Sequence, residues 1–259
     1  MKILQLGLGA WGKNHHRILT KMGHKVYSFD IANNSYELFA TYSKMNLDAV
    51  VITTSSVNHF PLIQNFLKKE IPIYCEKPIC LSRFQLNQLP SFDNQIFQSG
   101  HQLLFHPEIY DPIFLDKKIL YLYATRMGAI AREEGAIMSL AIHDIAIILR
   151  LMKWQMPSSI EAKGTLQSCK VILHFKKITA EILVQANADI RVRDFIAVLE
   201  EGQYIHISPD NWNRHDLLDR ALKHFMQAVG DKRPPTMNNL EHTIKIMQVV
   251  LTAKEELEK

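Results

Sequence analysis

The sequence lacks several features that would place it in a specialised class of protein. No apolar run approaches the roughly 20 residues needed to cross a bilayer. No block of lysine and arginine stands out behind the formal net charge of +4. We therefore expect neither a membrane nor a nucleic acid as partner. The apolar start of the chain ends in glycines, without the longer apolar stretch and cleavage site of a signal peptide.

Cysteine is scarce as well, with 3 residues in a chain of 259. Cys75, Cys80 and Cys169 are spaced for neither a zinc site nor a disulfide framework. Thiols of a reducing compartment explain them, which predicts a cytoplasmic protein without a bound metal. The chain is 47% hydrophobic and 22% charged, and it is long enough for one large domain or two smaller ones.

Strand and helix signals alternate in the first half of the chain. The segments 11–22 and 59–69 predict helices. Strands separated by helices imply an α/β fold with a parallel, doubly wound sheet. The strands are predicted at Lys2–Leu6, Lys25–Phe29, Asp48–Thr53, Ile71–Cys75 and Asn94–Ser99.

The second half predicts an α+β domain. Its strands follow one another through short links, which favours an open, mainly antiparallel sheet. We therefore place a first domain at residues 1–112 and a second at 113–259. The strands are predicted at 118–126, 160–163, 168–175, 179–187, 195–199 and 204–208, and the helices at 135–152, 216–229 and 239–258.

The turn Gly7–Gly12, GLGAWG, fits the pattern G-x-G-x-x-G. The pattern alone is weak, but here a strand precedes it and a helix follows. Gly7 permits the tight turn, Gly9 lets the backbone approach a pyrophosphate, and Gly12 lets the helix pack close to the sheet. The helix N-terminus then offers N–H groups and the positive end of its dipole to the phosphates.

Asp30 ends the second strand, where a carboxylate accepts hydrogen bonds from ribose hydroxyls and repels a 2′-phosphate. The sequence therefore favours NAD over NADP as cofactor. Two other interpretations of the glycine turn stay open. The turn could lack a ligand, or it could bind another ligand of this motif, such as FAD or S-adenosylmethionine.

Glu76-Lys77-Pro78 directly follows the fourth strand. Ligands of open α/β sheets bind at the carboxyl ends of the strands, so Lys77 is expected near the nicotinamide end of a dinucleotide. A partly desolvated lysine has a lowered pKa and can take part in proton transfer. Taken alone, the motif is better explained by a solvated lysine in a turn.

Ser139 and His143 are four residues apart on the apolar helix of the second half, so they share one helical face. A histidine there can serve as general acid or base on an alcohol or a carbonyl. The alternative is a core histidine that bonds to a neighbour. Asp144 lies about 100° further round the helix and need not face the same ligand.

These elements together resemble the glucose–fructose oxidoreductase/inositol dehydrogenase (Gfo/Idh/MocA) family over almost the whole chain. The stretch 11–15 is similar to the W-G-x-N-H form of the family's nucleotide-sugar branch. The most specific match is Ile73–Pro78, IYCEKP. The segments 47–55 and 58–59 resemble the family's third strand and the loop after it, and 135–151 resembles the helix that carries its histidine. The resemblance implies a Rossmann domain followed by an α+β domain whose sheet often forms a homo-oligomer interface.

The family transfers hydride between a nicotinamide cofactor and a sugar, cyclitol or related carbonyl, and the resemblance implies that Lys77 and His143 are the catalytic residues flanking the reacting carbon. The substrate-binding residues are expected to be Lys77, Ser139, His143 and, if the substrate carries a diphosphate, Arg193. For Arg193 a solvated turn is the favoured alternative. The implied cofactor-binding residues are Gly7, Gly9, Ala10, Trp11, Gly12, Asp30, Thr53, Thr54, His59, Glu76 and Lys77.

Two departures from the family pattern matter. Ser139 stands where the family often has an aspartate, and a serine cannot supply the negative charge of the usual acid/base arrangement. The chain is also short between about residues 106 and 135, a region that normally contributes substrate contacts. We therefore predict an NAD-dependent dehydrogenase or reductase of a sugar, cyclitol or nucleotide sugar. A non-catalytic nicotinamide-binding or assembly protein of the same fold is the alternative.

Overall fold

The computed structural model describes residues 1–30, 44–89, 95–110, 117–128, 133–208 and 214–259. The chain forms two compact units. The first consists of Met1–Gln102 and Arg214–Thr243, and the second of Leu103–Asn213 and Ile244–Lys259. The predicted domain boundary between residues 112 and 113 lies outside the described residues. No helix in the described ranges is long and apolar enough to cross a membrane.

A parallel five-stranded sheet in the order β2-β1-β3-β4-β5 forms the first unit, which confirms the predicted doubly wound α/β architecture. Its strands are β1 (Lys2–Leu6), β2 (Lys25–Phe29), β3 (Ala49–Ile52), β4 (Ile73–Cys75) and β5 (Phe97–Ser99). Its helices are α1 (Gly12–Lys21), α2 (His59–Leu67), α3 (Arg83–Asn87) and the later helix α6 (Arg214–Asp231), with a 3₁₀ turn at Ser56–Asn58.

Helix α6 packs against the first sheet although it lies far along the chain. Its apolar residues at spacings of three and four, Leu218, Leu222 and Phe225, join one core cluster with Ile3 and Tyr74. Phe225 meets the ring of Tyr74 edge to face, with ring centroids 5.7 Å apart. Burial of each such side chain stabilises the unit by about 1.5–3 kcal/mol. The sheet face beside α1 is therefore covered by a segment that sequence order assigned to the second domain.

The second unit contains a six-stranded sheet in the order β11-β10-β6-β9-β8-β7. All its neighbouring strands pair antiparallel except β6 and β9, which pair in parallel. This agrees with the predicted mainly antiparallel sheet. The strands are β6 (Ile119–Gly128), β7 (Ser159–Thr165), β8 (Ser168–His174), β9 (Thr179–Ala186), β10 (Val192–Leu199) and β11 (Tyr204–Ile207).

The predicted helix over 135–152 begins with a π-helical turn at Ile137–Ala141 and continues as α5 (Ile142–Leu151). The π turn contacts β6 and β9, and α5 is buried along most of its length. The remaining helices are α4 (Pro107–Tyr110) and α7 (Leu240–Leu257), and 3₁₀ turns lie at Gln102–Phe105 and Glu200–Gly202. Helix α7 begins in the first unit and continues into the second.

A buried ion pair ties α5 to the second sheet. The Arg126 guanidinium, on β6, donates from Nε to Asp144 Oδ2 at 2.8 Å and from Nη2 to Oδ1 at 2.6 Å. Arg126 is 7% exposed and Asp144 1% exposed. This two-point contact satisfies both charges away from water. It also fixes the rotation of α5, because Asp144 faces the sheet.

We predict that Asp144→Ala destabilises the protein by about 3–5 kcal/mol, because it leaves a buried guanidinium without its counter-charge. Urea unfolding measures the loss. Glu181→Ala is the matched control, since it breaks the more exposed Lys170–Glu181 pair on β8 and β9. That control should cost at most about 1 kcal/mol. Equal losses in the two variants would contradict the assigned role.

Candidate active site

The glycine turn adopts the geometry that its sequence predicts. Gly7 has φ +99°, a conformation that favours glycine. A Cβ on Gly7 would lie 2.6 Å from Thr53 O. A Cβ on Gly12 would collide with Gly7 O and would lie 2.8 Å from Thr53 Oγ1. Glycine at these two positions therefore allows α1 to start directly against the ends of β1 and β3.

Gly9 has a different environment. A Cβ built on it meets no described atom within 4 Å, and both Gly9 and Ala10 are exposed. Among the described residues no side chain caps α1 at Trp11, and its first turn contains no acidic residue. Open backbone beside an uncapped helix N-terminus fits an anionic pyrophosphate.

Buried side chains hold the turn from beneath. Gln5 donates from Nε2 to Gly12 O at 2.7 Å. Thr53 Oγ1 lies 2.8 Å from Gly7 O and donates to it. Thr53 was predicted to bind the cofactor. In the structure its hydroxyl holds the glycine turn in place.

Asp30 lies beside the glycine turn. Its Oδ2 accepts a hydrogen bond from the Leu8 backbone N–H at 2.9 Å. The Gly7 N–H donates to Phe29 O at 2.7 Å, which fixes the end of β2 against the same turn. The carboxylate predicted for the adenosine ribose is therefore anchored next to the predicted pyrophosphate position.

Glu76 is the centre of a buried polar network at the end of β4. Its Oε1 accepts from Trp11 Nε1 at 3.2 Å and from Gln102 Nε2 at 2.5 Å, and it lies 3.0 Å from His15 Nε2. Burial alone would raise the pKa of Glu76, but the contacts with His15, Lys77 and Trp11 lower it overall. The carboxylate is therefore kept ionised inside the protein.

Lys77 follows this network and is partly exposed. The Lys77–Pro78 peptide bond is cis. His59 connects the loop after β3 with the loop after β4. Its Nδ1 lies 2.7 Å from Pro78 O and its Nε2 lies 3.0 Å from Thr54 O. Burial lowers the pKa of His59. With both ring nitrogens at backbone carbonyls, His59 is placed to position the loops around Lys77 rather than to reach a ligand itself.

In the second unit, Ser139 lies in the π turn and donates from Oγ to Gly135 O at 2.7 Å. His143 follows on α5 and is partly exposed. Its neighbour Asp144 points to Arg126 instead, as the helical spacing predicted. π turns inside helices are frequent at functional sites. Such a turn was not predicted from the sequence.

Arg193 lies within β10 rather than in a turn between strands. In the register of the sheet it pairs with Arg126 on β6. Arg126 is engaged by Asp144, and Arg193 is half-buried beside it. On the sheet face that Arg126 and Arg193 share, Asp144 neutralises Arg126, and Arg193 adds a positive charge.

The structure thus gathers the predicted residues into two sets. The first unit holds the glycine turn with Asp30, Thr53, Thr54, His59, Glu76 and Lys77, and the second holds Ser139, His143 and Arg193. The sequence pattern did not identify His15 and Gln102 as partners of Glu76. His15 belongs to the W-G-x-N-H stretch, which gave no sign of its contact with Glu76, and the only signal for Gln102 was its position shortly after β5. Among the described residues no group of three or more His, Cys, Asp or Glu side chains is arranged to hold a metal ion.

Comparison with known proteins agrees with this geometry. Residues 24–91 match the sequence model of the Gfo/Idh/MocA family, an oxidoreductase family with an NAD-binding Rossmann fold. The matched segment contains β2, β3, β4 and Glu76-Lys77-Pro78. The match confirms the family resemblance drawn from the sequence. A search of curated proteins by sequence finds no match.

Solved structures share the fold over the whole chain. A UDP-N-acetylglucosamine 3-dehydrogenase of Acidithiobacillus ferrooxidans is 18% identical with a TM-score of 0.84, covering 100% of this chain and 98% of that one. A probable dehydrogenase of Thermotoga maritima is 18% identical with a TM-score of 0.81, covering 100% and 97%. An apo scyllo-inositol dehydrogenase of Lactobacillus casei is 17% identical with a TM-score of 0.81, covering 100% and 96%.

We predict that Gly9→Ala weakens cofactor binding without a loss of stability, whereas Gly12→Ala lowers the stability of the fold. The methyl group at position 9 enters open space, so the free energy of unfolding should change by less than about 0.5 kcal/mol, while affinity for NAD⁺ falls about tenfold or more through the blocked approach of the pyrophosphate. Gly12→Ala should lose about 1–3 kcal/mol of stability through overpacking.

Urea unfolding and calorimetric titration with NAD⁺ measure the two effects. A Gly9→Ala protein that binds NAD⁺ as the wild type does would contradict the assignment of this turn to the pyrophosphate.

Proposed function

We propose that this protein is an NAD-dependent dehydrogenase or reductase that transfers a hydride between nicotinamide and a sugar, cyclitol or nucleotide sugar. The observation that carries the proposal is the open, uncapped glycine turn at Gly9, followed at the same sheet edge by the buried Glu76 network and Lys77. The family match over residues 24–91 supports it.

The residues of the first unit fit a nicotinamide dinucleotide. Gly9, Ala10 and the start of α1 hold the pyrophosphate, and Asp30 accepts hydrogen bonds from the adenosine ribose. A carboxylate at this position repels a 2′-phosphate, so we propose NAD rather than NADP. When bound, the dinucleotide supplies the hydride acceptor or donor. The side chains of this protein supply proton transfer and the positioning of the substrate.

We assign the transfer of the substrate's hydroxyl proton to Lys77 and His143. The assignment rests on the family resemblance and on the chemistry of the two groups, because a lysine ammonium and a histidine ring can each give and take a proton. Glu76, fixed by its buried donors, holds the backbone that carries Lys77. The Ser139 hydroxyl donates its hydrogen bond to Gly135 O. Towards a bound substrate its oxygen can therefore act only as an uncharged acceptor.

Arg193 favours a substrate with an anionic portion. Its half-buried guanidinium lies next to an arginine that is already neutralised, so it can neutralise a diphosphate. One solved structure of the same fold is a UDP-N-acetylglucosamine dehydrogenase. We therefore propose a nucleotide sugar ahead of a free sugar or cyclitol.

The second sheet also supports a homo-oligomer. Residues alternate between buried and partly exposed along β9 and β10. The partly exposed positions include Leu183 and Ile196, and Tyr121 on β6 is 39% exposed. Apolar and aromatic residues on an open sheet face are typical of a protein interface. Light scattering of the intact protein distinguishes a monomer from a closed dimer.

We predict that Lys77→Ala and His143→Ala each lower kcat by about 10²–10⁴-fold, the usual contribution of a positioned acid or base. The substrate comes from a screen of sugars, cyclitols and UDP-sugars by NADH formation or loss. Lys68→Ala and His174→Ala are the matched controls and should keep full turnover. The assignment is wrong if both Lys77→Ala and His143→Ala also keep it.

For Arg193→Ala we predict a loss of about tenfold or more in affinity for UDP-N-acetylglucosamine, because a charge-assisted contact to phosphate contributes about 1.5–3 kcal/mol. Calorimetric titration in the presence of NADH measures the change. Affinity for the uncharged myo-inositol should stay the same. An unchanged affinity for the UDP-sugar would remove Arg193 from the site.

A further inference from the structure

His101 lies next to Lys77 at the edge of the first sheet. Strands β4 and β5 are parallel neighbours, with Cys75 opposite Ser99. The Gly100 N–H donates to Cys75 O at 2.8 Å and extends the ladder past the strand ends. Lys77 and His101 each lie two residues beyond the Cys75–Ser99 pair, after the two strands have ended. Both residues therefore follow the carboxyl ends of neighbouring strands, where ligands of such sheets bind, and the Lys77 ammonium is close enough to act on the His101 ring.

The backbone of His101 is tightly held. Its N–H donates to Ser99 O at 2.9 Å, and its carbonyl accepts from Asn238 Nδ2 at 3.1 Å. The preceding residue must be glycine, because a Cβ on Gly100 would lie 2.6 Å from the Glu76 carboxyl group. The same carboxylate that supports Lys77 therefore also shapes the segment that carries His101.

The ring of His101 contrasts with this well-bonded backbone. The residue is 1% exposed, yet neither Nδ1 nor Nε2 has a hydrogen-bond partner within the described residues. Buried polar groups are nearly always bonded, and one left without a partner costs about 1–3 kcal/mol. The other buried histidines of this unit, His15 and His59, have both ring nitrogens at oxygen atoms.

The environment also sets the charge of the ring. Burial and the nearby Lys77 ammonium lower the pKa of His101 to about 3, against a smaller opposing effect of Glu76. A neutral imidazole has one N–H donor and one acceptor nitrogen. That pair of functions matches a hydroxyl or a primary carboxamide, which both donate and accept. It does not match a phosphate or carboxylate, which only accept.

We propose that His101 is a ligand-binding residue beside Lys77, whose neutral ring hydrogen-bonds an uncharged group that both donates and accepts. The group is either a hydroxyl of the substrate or the carboxamide of the nicotinamide, and the inference rests on the proposed function. His101 fixes the orientation of the reacting partner, while Lys77 beside it carries the charge.

Two variants test the proposal. His101→Phe removes both hydrogen-bonding functions, and His101→Gln keeps one donor group and one acceptor. His224→Phe is the matched control, because His224 is a histidine of the same unit whose ring nitrogens contact Gln98 and Thr236. Thermal unfolding establishes that each variant is folded. If His101→Phe does not fold, His101→Gln is compared with His101→Leu.

Calorimetric titrations of the purified chain use NAD⁺, ADP-ribose and, with NADH present, UDP-N-acetylglucosamine and myo-inositol. If the carboxamide is the ligand, His101→Phe weakens NAD⁺ binding about tenfold and leaves ADP-ribose unchanged. If the hydroxyl is the ligand, NAD⁺ binding stays intact and the affinity for the alcohols falls about tenfold. In either case His101→Gln restores part of the loss, and His224→Phe binds as the wild type does.

Unchanged affinities of His101→Phe for NAD⁺ and for both alcohols overturn the proposal and leave His101 as a packing residue. If the wild type binds NAD⁺ but neither alcohol, the NAD⁺ titration alone decides, and an unchanged affinity overturns the proposal. If the wild type binds no nicotinamide dinucleotide, the proposed function itself fails, which the wild-type titration shows before any variant is compared.

Discussion

The Glu76 carboxylate lies at the end of β4 and is bonded by three side chains from two separate segments of the chain. Trp11 reaches it from the glycine turn, His15 from α1 and Gln102 from the segment after β5. A buried carboxylate is costly unless such partners satisfy it, and removal of one partner of a buried ionic contact typically costs about 3–5 kcal/mol. The packing of this sheet edge therefore depends on one anion.

Two consequences follow for the chemistry of the edge. The glycine turn and the Lys77 loop are fixed relative to each other. Glu76 directly precedes Lys77, and its Oε1 atom contacts Trp11 of the turn and His15 of α1. The backbone after β5 can pass close to the Glu76 carboxylate because residue 100 is glycine, and a Cβ there would lie 2.6 Å from the carboxyl group. A rigid edge of this kind is what a hydride-transfer enzyme needs, since positioning of the reacting groups can contribute about 7–11 kcal/mol to lowering the barrier.

Much of this could be predicted from the sequence where the signal is local. The strand, glycine turn and helix of Met1–Lys21 follow from adjacent residues, and Glu76-Lys77-Pro78 carries its own signature. Long-range contacts carried no such signal. The packing of α6 on the first sheet brings Phe225 into contact with Tyr74, and no local pattern in either segment predicts this contact. The first residues of β10 were not predicted as strand because two of them, Arg193 and Asp194, are charged and interrupt the apolar pattern. His101 was missed because it belongs to no motif and shows its importance only through burial.

The central claim is that the first unit binds a nicotinamide dinucleotide through Gly7–Gly12 and Asp30. The most direct measurement is calorimetric titration of the wild-type protein with NAD⁺, NADP⁺, FAD and S-adenosylmethionine in separate experiments. The geometry predicts saturable binding of NAD⁺, weaker binding of NADP⁺ because of Asp30, and no binding of the other two. Binding of FAD or S-adenosylmethionine in preference to both nicotinamide dinucleotides, or no binding of either dinucleotide, would contradict the claim.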